Sequence, residues 1–139
     1  MYILKTEKSF DSAHFLAGYE GKCKNIHGHR WNVEIEVKSE ELEKEGQLRG
    51  MCVDFSTLKD ELEQETDFFD HALIIEKDSL MAKTLEALFE EGFNLKIVDF
   101  RPTAENFARY FYDRFKERGY QVNKATVYET PSNCAIYCE

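Results

Sequence analysis

The sequence is short of the residues that punctuate, cross-link or span. Two prolines and seven glycines in 139 residues leave no stretch that reads as a linker, and no low-complexity tract or internal repeat is found. No apolar run approaches the ~18 residues needed to cross a bilayer, so no membrane partner is expected. The first residues, Met1-Tyr2-Ile3-Leu4-Lys5, lack the charged-then-apolar layout of a secretory leader. A cytoplasmic protein is therefore expected, and Cys23, Cys52, Cys134 and Cys138 are expected to be thiols rather than disulfides. Basic residues are scarce as well. Lys plus Arg number 18 against 27 Asp plus Glu, and the net charge of -9 gives no general field for nucleic acid. Also missing are a His-Glu-x-x-His protease motif and a Gly-rich phosphate loop. The spacing from Pro131 to Cys138 excludes the signature of zinc deaminases.

What is present suffices for one core. Hydrophobic residues make up 42% of the chain and aromatics 14%, and the length suits a single domain over residues 1–139. From Trp31 to Val37 apolar and polar residues alternate, the period of a half-buried strand. Further strands are expected over residues 2–10, 95–100 and 122–129, the last with one local irregularity, and 135–137 extends its edge. Three helices are expected. One follows the cap signal Asp54-Phe55-Ser56, one runs from about Ser79 to Glu91 before Gly92, and one begins after Pro102 with Thr103 as its cap. Strands separated by lone helices indicate an α+β fold.

The four histidines carry the chemistry. His27 and His29 flank Gly28, and residues two apart on a strand point to one face. Their parity continues into Trp31, Val33 and Ile35, which puts both rings on the buried side. Gly28 between them leaves room for close approach. Neutral rings side by side in a low dielectric need partners, and a divalent metal supplies one to both. His14, ending Phe10-Asp11-Ser12-Ala13-His14, is the natural third ligand, because its strand is expected beside the His27–Val37 strand. Three protein nitrogens with one open position is the pattern of catalytic zinc. The alternative is a set of packed or surface histidines.

Cys23 stands four residues before His27, between Lys22 and Lys24. It suits either of two roles. As a fourth zinc ligand it would close a structural site; as a thiolate stabilised by the flanking lysines it would be reactive. Spacing does not separate the two. Asp70-His71 is a carboxylate–imidazole pair suited to proton transfer, or else a helix-terminal histidine beside a solvated acid. Glu129 lies on the apolar parity of its strand, where a carboxylate needs a cation or a ligand with paired N–H donors. Cys52, Cys134 and Cys138 read as buried thiols.

These residues together resemble the 6-pyruvoyltetrahydropterin synthase / 6-carboxytetrahydropterin synthase family. The likeness rests on Phe10-Asp11-Ser12-Ala13-His14, Cys23-x-x-x-His27-Gly28-His29, Met51-Cys52-Val53-Asp54-Phe55-x-x-Leu58-Lys59, Asp70-His71, Pro102-Thr103-Ala104-Glu105-Asn106 and Val127-Tyr128-Glu129-Thr130. Each match alone is weak; their order and combination are specific. The resemblance implies a tunnelling fold, a four-stranded antiparallel sheet with helices on one face. It also implies a homo-oligomer, with three subunits closing a barrel, two trimers stacking into a hexamer, and active sites between subunits. By the same likeness His14, His27 and His29 would bind Zn2+. Cys23 would be the catalytic base, aided by Asp70 and His71 from a neighbouring subunit. Glu129 would anchor a pterin, with Thr103 and Thr130 as helpers.

The implied substrate is 7,8-dihydroneopterin triphosphate. Three residues between Cys23 and His27 resemble the bacterial 6-carboxytetrahydropterin synthases of queuosine (7-deazaguanine) biosynthesis, and a longer gap marks the pyruvoyl enzymes. Three departures stand out: Arg30-Trp31 where Asn-Tyr is more usual, no Asn in the segment after His71, and a long stretch with an extra helical pattern before Pro102. Lys22 and Lys24 are the residues available to offset the acidity near a triphosphate.

Overall fold

The computed structural model describes residues 1–139. Its strands are β1 (Tyr2–His14), β2 (His27–Ser39), β3 (Ala72–Glu76), β4 (Leu95–Val98), β5 (Val122–Thr130) and β6 (Asn133–Tyr137), and its helices α1 (Phe55–Asp67), α2 (Ala82–Glu90) and α3 (Ala104–Glu117). One sheet holds all six strands in the order β4-β3-β1-β2-β5-β6. The expected four-stranded antiparallel sheet is therefore corrected to six strands in a mixed sheet. β1, β2, β5 and β6 are antiparallel, while β3 pairs with β1, and β4 with β3, in parallel. Sequence reading missed β3 because Ala72-Leu73-Ile74-Ile75 is a continuous apolar run without alternation, as parallel strands tend to be. The fold remains α+β.

The long β1–β2 pair fixes the geometry of the site. Its register runs from Tyr2 opposite Ser39 to His14 opposite His27 without a shift. Alternation places Phe10, Ser12 and His14 of β1 inside, together with Trp31, Val33, Ile35 and Val37 of β2. The irregularity expected in β5 is real: Val37 pairs with Val122 and Glu36 with Lys124, leaving Asn123 as the extra residue.

The inner sheet face meets α1 through Leu58 and Leu62, and α3 through Phe107, Phe111 and Phe115, all in one buried cluster. Each side chain of this size contributes about 1.5–3 kcal/mol by leaving water. Both helices start as their sequences dictate. Asp54 accepts a hydrogen bond from the Ser56 N–H (2.7 Å), and Thr103 accepts one from the Asn106 N–H (3.3 Å). Buried Glu65 of α1 accepts hydrogen bonds from Arg114 of α3 and from Arg118 just beyond it, at 2.6–3.1 Å. These hold its carboxyl below the usual range despite burial. By contrast, α2 buries no residue.

All four cysteines are free thiols. Their expected burial is corrected for three of them: Cys134 and Cys138 are exposed and Cys52 is only half-buried. The edge strand β6 turns Cys134 outward, and Cys138 follows just beyond its end. No helix is long and apolar enough to cross a membrane.

Candidate functional site

The inner parity that fills the core of β1 and β2 ends in histidine. His14 and His27 face each other at the last register position of the pair, and His29 lies opposite Ser12. Trp31, fully buried, floors this corner. Its ring meets His14 at 5.0 Å and His29 at 5.5 Å edge-on, and Phe107 of α3 at 5.1 Å. The histidines are thus seated on the aromatic core.

Their proton positions follow from their partners. The Nδ1 of His14 lies 2.7 Å from the Pro102 carbonyl, and the Nδ1 of His27 lies 2.7 Å from the Asn25 carbonyl. A carbonyl only accepts, so each Nδ1 carries the proton and donates it. In the neutral rings each Nε2 is then a bare lone pair, and these two atoms stand 3.1 Å apart. Lone pairs facing at that distance repel unless a cation lies between them. Burial drives the His14 pKa down to about 4, with His27 and His29 adding to the fall and the Pro102 carbonyl opposing it, so this ring is neutral at pH 7.

The third nitrogen completes the argument. The Nε2 of His29 is buried with no hydrogen-bond partner in the chain, and the ligand atoms of all three rings lie within 4.8 Å of one another. Burial lowers the His29 pKa too, with Glu129 opposing. A tetrahedral ion with nitrogen ligands at ~2.0–2.1 Å keeps them about 3.4 Å apart. Two rings whose Nε2 atoms meet, and a third that brings an orphaned buried nitrogen to the same corner, therefore fit a borderline divalent metal ion.

A cleft of about 550 Å³ opens beside the histidines, lined by Lys22, Cys23, His27, His29, Glu129, Thr130 and Asn133. Glu129 reaches within 3.5 Å of the His29 Nε2. Cys23 sits in a short 3₁₀ turn, Lys22–Lys24, and its sulfur is not among the convergent ligand atoms. Of the residues singled out in the sequence, the structure brings together His14, His27, His29, Cys23, Glu129, Thr130 and Lys22.

Three residues stand apart from the cleft. Thr103 caps α3 next to Pro102, whose carbonyl orients His14, and does not line it. Asp70 and His71 follow α1 and pair with each other, Nδ1 to Oδ2, at 2.7 Å. The Asp70 carboxylate also accepts the Asp11 N–H at 2.9 Å, and the His71 N–H donates to the Asp11 carbonyl at 2.7 Å. The Asp11 N–H, then His71, hold the Asp70 carboxyl below its ordinary range, and Asp70 raises the His71 imidazole. His71 takes a left-handed backbone (φ 56°), a conformation that costs a non-glycine residue about 1–3 kcal/mol. Its side chain is 80% exposed, so one chain presents the pair outward.

The carbonyls of Pro102 and Asn25 were missed in the sequence, because a backbone acceptor leaves no mark in residue type. Gly28 is not required by space within the chain, since a Cβ there would lie 3.6 Å from the Ser12 carbonyl oxygen, an ordinary contact.

The family model described as 6-pyruvoyl tetrahydropterin synthase matches residues 3–139. Over 145 aligned residues the chain is 37% identical to the 6-carboxy-5,6,7,8-tetrahydropterin synthase of Haemophilus influenzae, covering all of both chains. The protein of the same name from Synechocystis sp. is 36% identical over 124 residues, 82% of this chain and 96% of that one. Among solved structures, an uncharacterized protein from Wolinella succinogenes superposes with a TM-score of 0.83 at 21% identity, covering 99% of this chain and 98% of that one. The 6-pyruvoyl tetrahydropterin synthase of Caenorhabditis elegans gives 0.67 at 25% identity, covering 100% and 97%. By sequence over nearly its whole length and by fold, the chain belongs to the 6-pyruvoyl tetrahydropterin synthase family.

Proposed function

We propose that residues 1–139 form a zinc-dependent 6-carboxy-5,6,7,8-tetrahydropterin synthase, a lyase of queuosine biosynthesis. It would convert 7,8-dihydroneopterin triphosphate and one water to 6-carboxytetrahydropterin, acetaldehyde and triphosphate. The observation that carries this reading is the division of labour in the cleft. Three histidine nitrogens converge, while the Cys23 thiol lines the same cavity outside the convergent set. A closed structural site would draw the sulfur into the set; an open one leaves it free to move protons. The relatives from Haemophilus influenzae and Synechocystis sp. that bear this activity's name support the choice of product, as does the three-residue gap between Cys23 and His27.

In this account His14, His27 and His29 hold the ion. When bound, zinc supplies a positive charge that acidifies the side-chain hydroxyls of the substrate. Glu129 accepts two N–H groups from the amino-pyrimidinone edge, which answers its carboxylate on a largely apolar strand face. Cys23 takes and returns a proton at the side-chain carbons. Lys22, on the wall of the cleft, faces the anionic tail. Asp70 and His71, presented outward with a backbone strained at His71, serve the site of a neighbouring subunit. Thr103 and Thr130 assist in holding the pterin. The account requires a homo-oligomer, a trimer closing to a hexamer, and its place is the cytoplasm.

Product analysis tests the reading. Zinc-loaded protein incubated with 7,8-dihydroneopterin triphosphate is expected to yield acetaldehyde and a 6-carboxy pterin. A 6-pyruvoyl product, or no consumption at all, contradicts it.

A further inference from the structure

The loop Phe15–Ile26 carries Cys23 between β1 and β2 and is closed on itself. The Leu16 N–H donates to the Cys23 carbonyl at 2.9 Å, and the Tyr19 N–H donates to Leu16 at 3.3 Å. Within the 3₁₀ turn, Asn25 donates to the Lys22 carbonyl from both its backbone (3.1 Å) and its side chain (3.0 Å). Phe15, 6% exposed, roots the start of the loop in the core, and beyond that root a self-contained loop of this kind moves as a unit unless a hydrogen bond from outside holds it.

One side chain does. Arg101 donates from Nη2 to the Ala17 carbonyl at 3.0 Å, the one hydrogen bond linking this loop to a residue beyond its flanking strands. The same guanidinium lies 5.9 Å from the centre of the Tyr19 ring. The Tyr19 ring also packs closely on Gly21, where a Cβ would come within 2.6 Å of it. At its backbone Arg101 is fixed to α3: its carbonyl accepts from the Asn106 side chain at 2.9 Å and from the Thr103 N–H at 2.7 Å. The next residue, Pro102, offers the carbonyl that orients His14.

We propose that Arg101 is a positioning residue that sets the Cys23 loop in register with the histidine cluster. It grips the loop through Ala17 and Tyr19, and it stands one peptide from the carbonyl that aims His14. A planar guanidinium can donate and stack at once, which a lysine ammonium does not match. The Arg101 Nε is buried without a partner in the chain, so hydrogen bonding alone does not account for an arginine at this place. This inference rests on the reading of Cys23 as the working thiol.

The test compares zinc-loaded Arg101→Ala and Arg101→Lys with the unsubstituted protein, resolving iodoacetamide alkylation by peptide. Exposed Cys134 serves as the internal control. In Arg101→Ala, Cys23 is expected to alkylate roughly tenfold faster relative to Cys134, the factor that follows from losing one charge-assisted hydrogen bond. kcat is expected to fall ~10–100-fold as the thiol is misplaced, with KM nearly constant and zinc content retained. Arg101→Lys is expected to fall between the two, and it serves if the alanine variant does not fold. Unchanged Cys23 alkylation in a folded variant overturns the proposal, as does a rise in KM alone, which would make Arg101 a substrate contact. Alkylation needs no turnover. A shift in Cys23 reactivity in a protein that does not consume the pterin triphosphate would therefore uphold the loop assignment while removing the proposed reaction.

Discussion

The Glu129 carboxylate stands 3.5 Å from the Nε2 of His29, on neighbouring strands and at the mouth of one cleft. A carboxylate and a cluster of metal-type nitrogens thus stand side by side. A pterin held by its amino-pyrimidinone edge would direct its side chain along that wall. Replacing Glu129 by Gln keeps the shape and removes one acceptor oxygen and the charge. The expected result is a loss of kcat/KM of roughly 10²-fold, from two charge-assisted hydrogen bonds weakened together, with zinc stoichiometry unchanged. Steady-state kinetics beside metal analysis checks it.

Cys23 separates the catalytic reading from the structural one. Cys23→Ala is expected to bind one zinc per chain and to lose turnover. Metal-free Cys23→Ala would mean that the sulfur is a ligand and the ion a staple for the fold.

The outward placement of Asp70 and His71 predicts complementation. Cys23→Ala and His71→Ala are each expected to be inactive alone. After dissociation and reassociation as a mixture they are expected to regain roughly a quarter of the sites, the statistical share in which both residues are intact. No recovery in verified mixed oligomers would put the pair in the same subunit's site or outside any site.

The depressed pKa of His14, about 4 against an ordinary 6.5, makes the metal-free protein acid-sensitive. Between those two values the unfolded chain binds the proton and the folded one refuses it, so stability falls as pH drops through that window. Urea unfolding of the metal-free protein is expected to show a loss of about 2 kcal/mol from pH 7.5 to pH 5. His29, lowered in the same direction, adds to it. His71, raised by Asp70, acts with the opposite sign, contributing stability at low pH that is lost as pH rises. Asp70 and Glu65, both lowered, contribute stability that is fully present above the ordinary carboxylate range and is lost only as pH falls below it, outside this window. His14→Gln is expected to flatten the profile between pH 7.5 and pH 5.

Glu65 tests the scaffold separately from the site. Glu65→Ala removes the acceptor shared by Arg114 and Arg118, whose side chains are 43% and 26% exposed and can turn to water. A loss of about 1–2 kcal/mol is expected, with zinc content and kcat nearly unchanged.

Much of this was legible in the residues, for identifiable reasons. The alternation of β2 projected backward put His27 and His29 on the inner face, and period two leaves no freedom there. Thr103 and Asp54 declared their helices because capping is local chemistry. The parallel strand β3 was hidden because a short continuous apolar run has no period. The exposure of Cys134 depends on which strand ends the sheet, a fact of topology rather than sequence. The acceptors of His14 and His27 are carbonyls, invisible to residue type, and Arg101 reaches Ala17 across 84 positions that no local pattern connects.

Zinc K-edge X-ray absorption on the loaded protein tests the central claim most directly. A first shell of nitrogen and oxygen alone at ~2.0–2.1 Å, best fitted by three imidazoles and one further light atom, is the expected result. A sulfur scatterer at ~2.3 Å would put Cys23 on the ion and contradict the account.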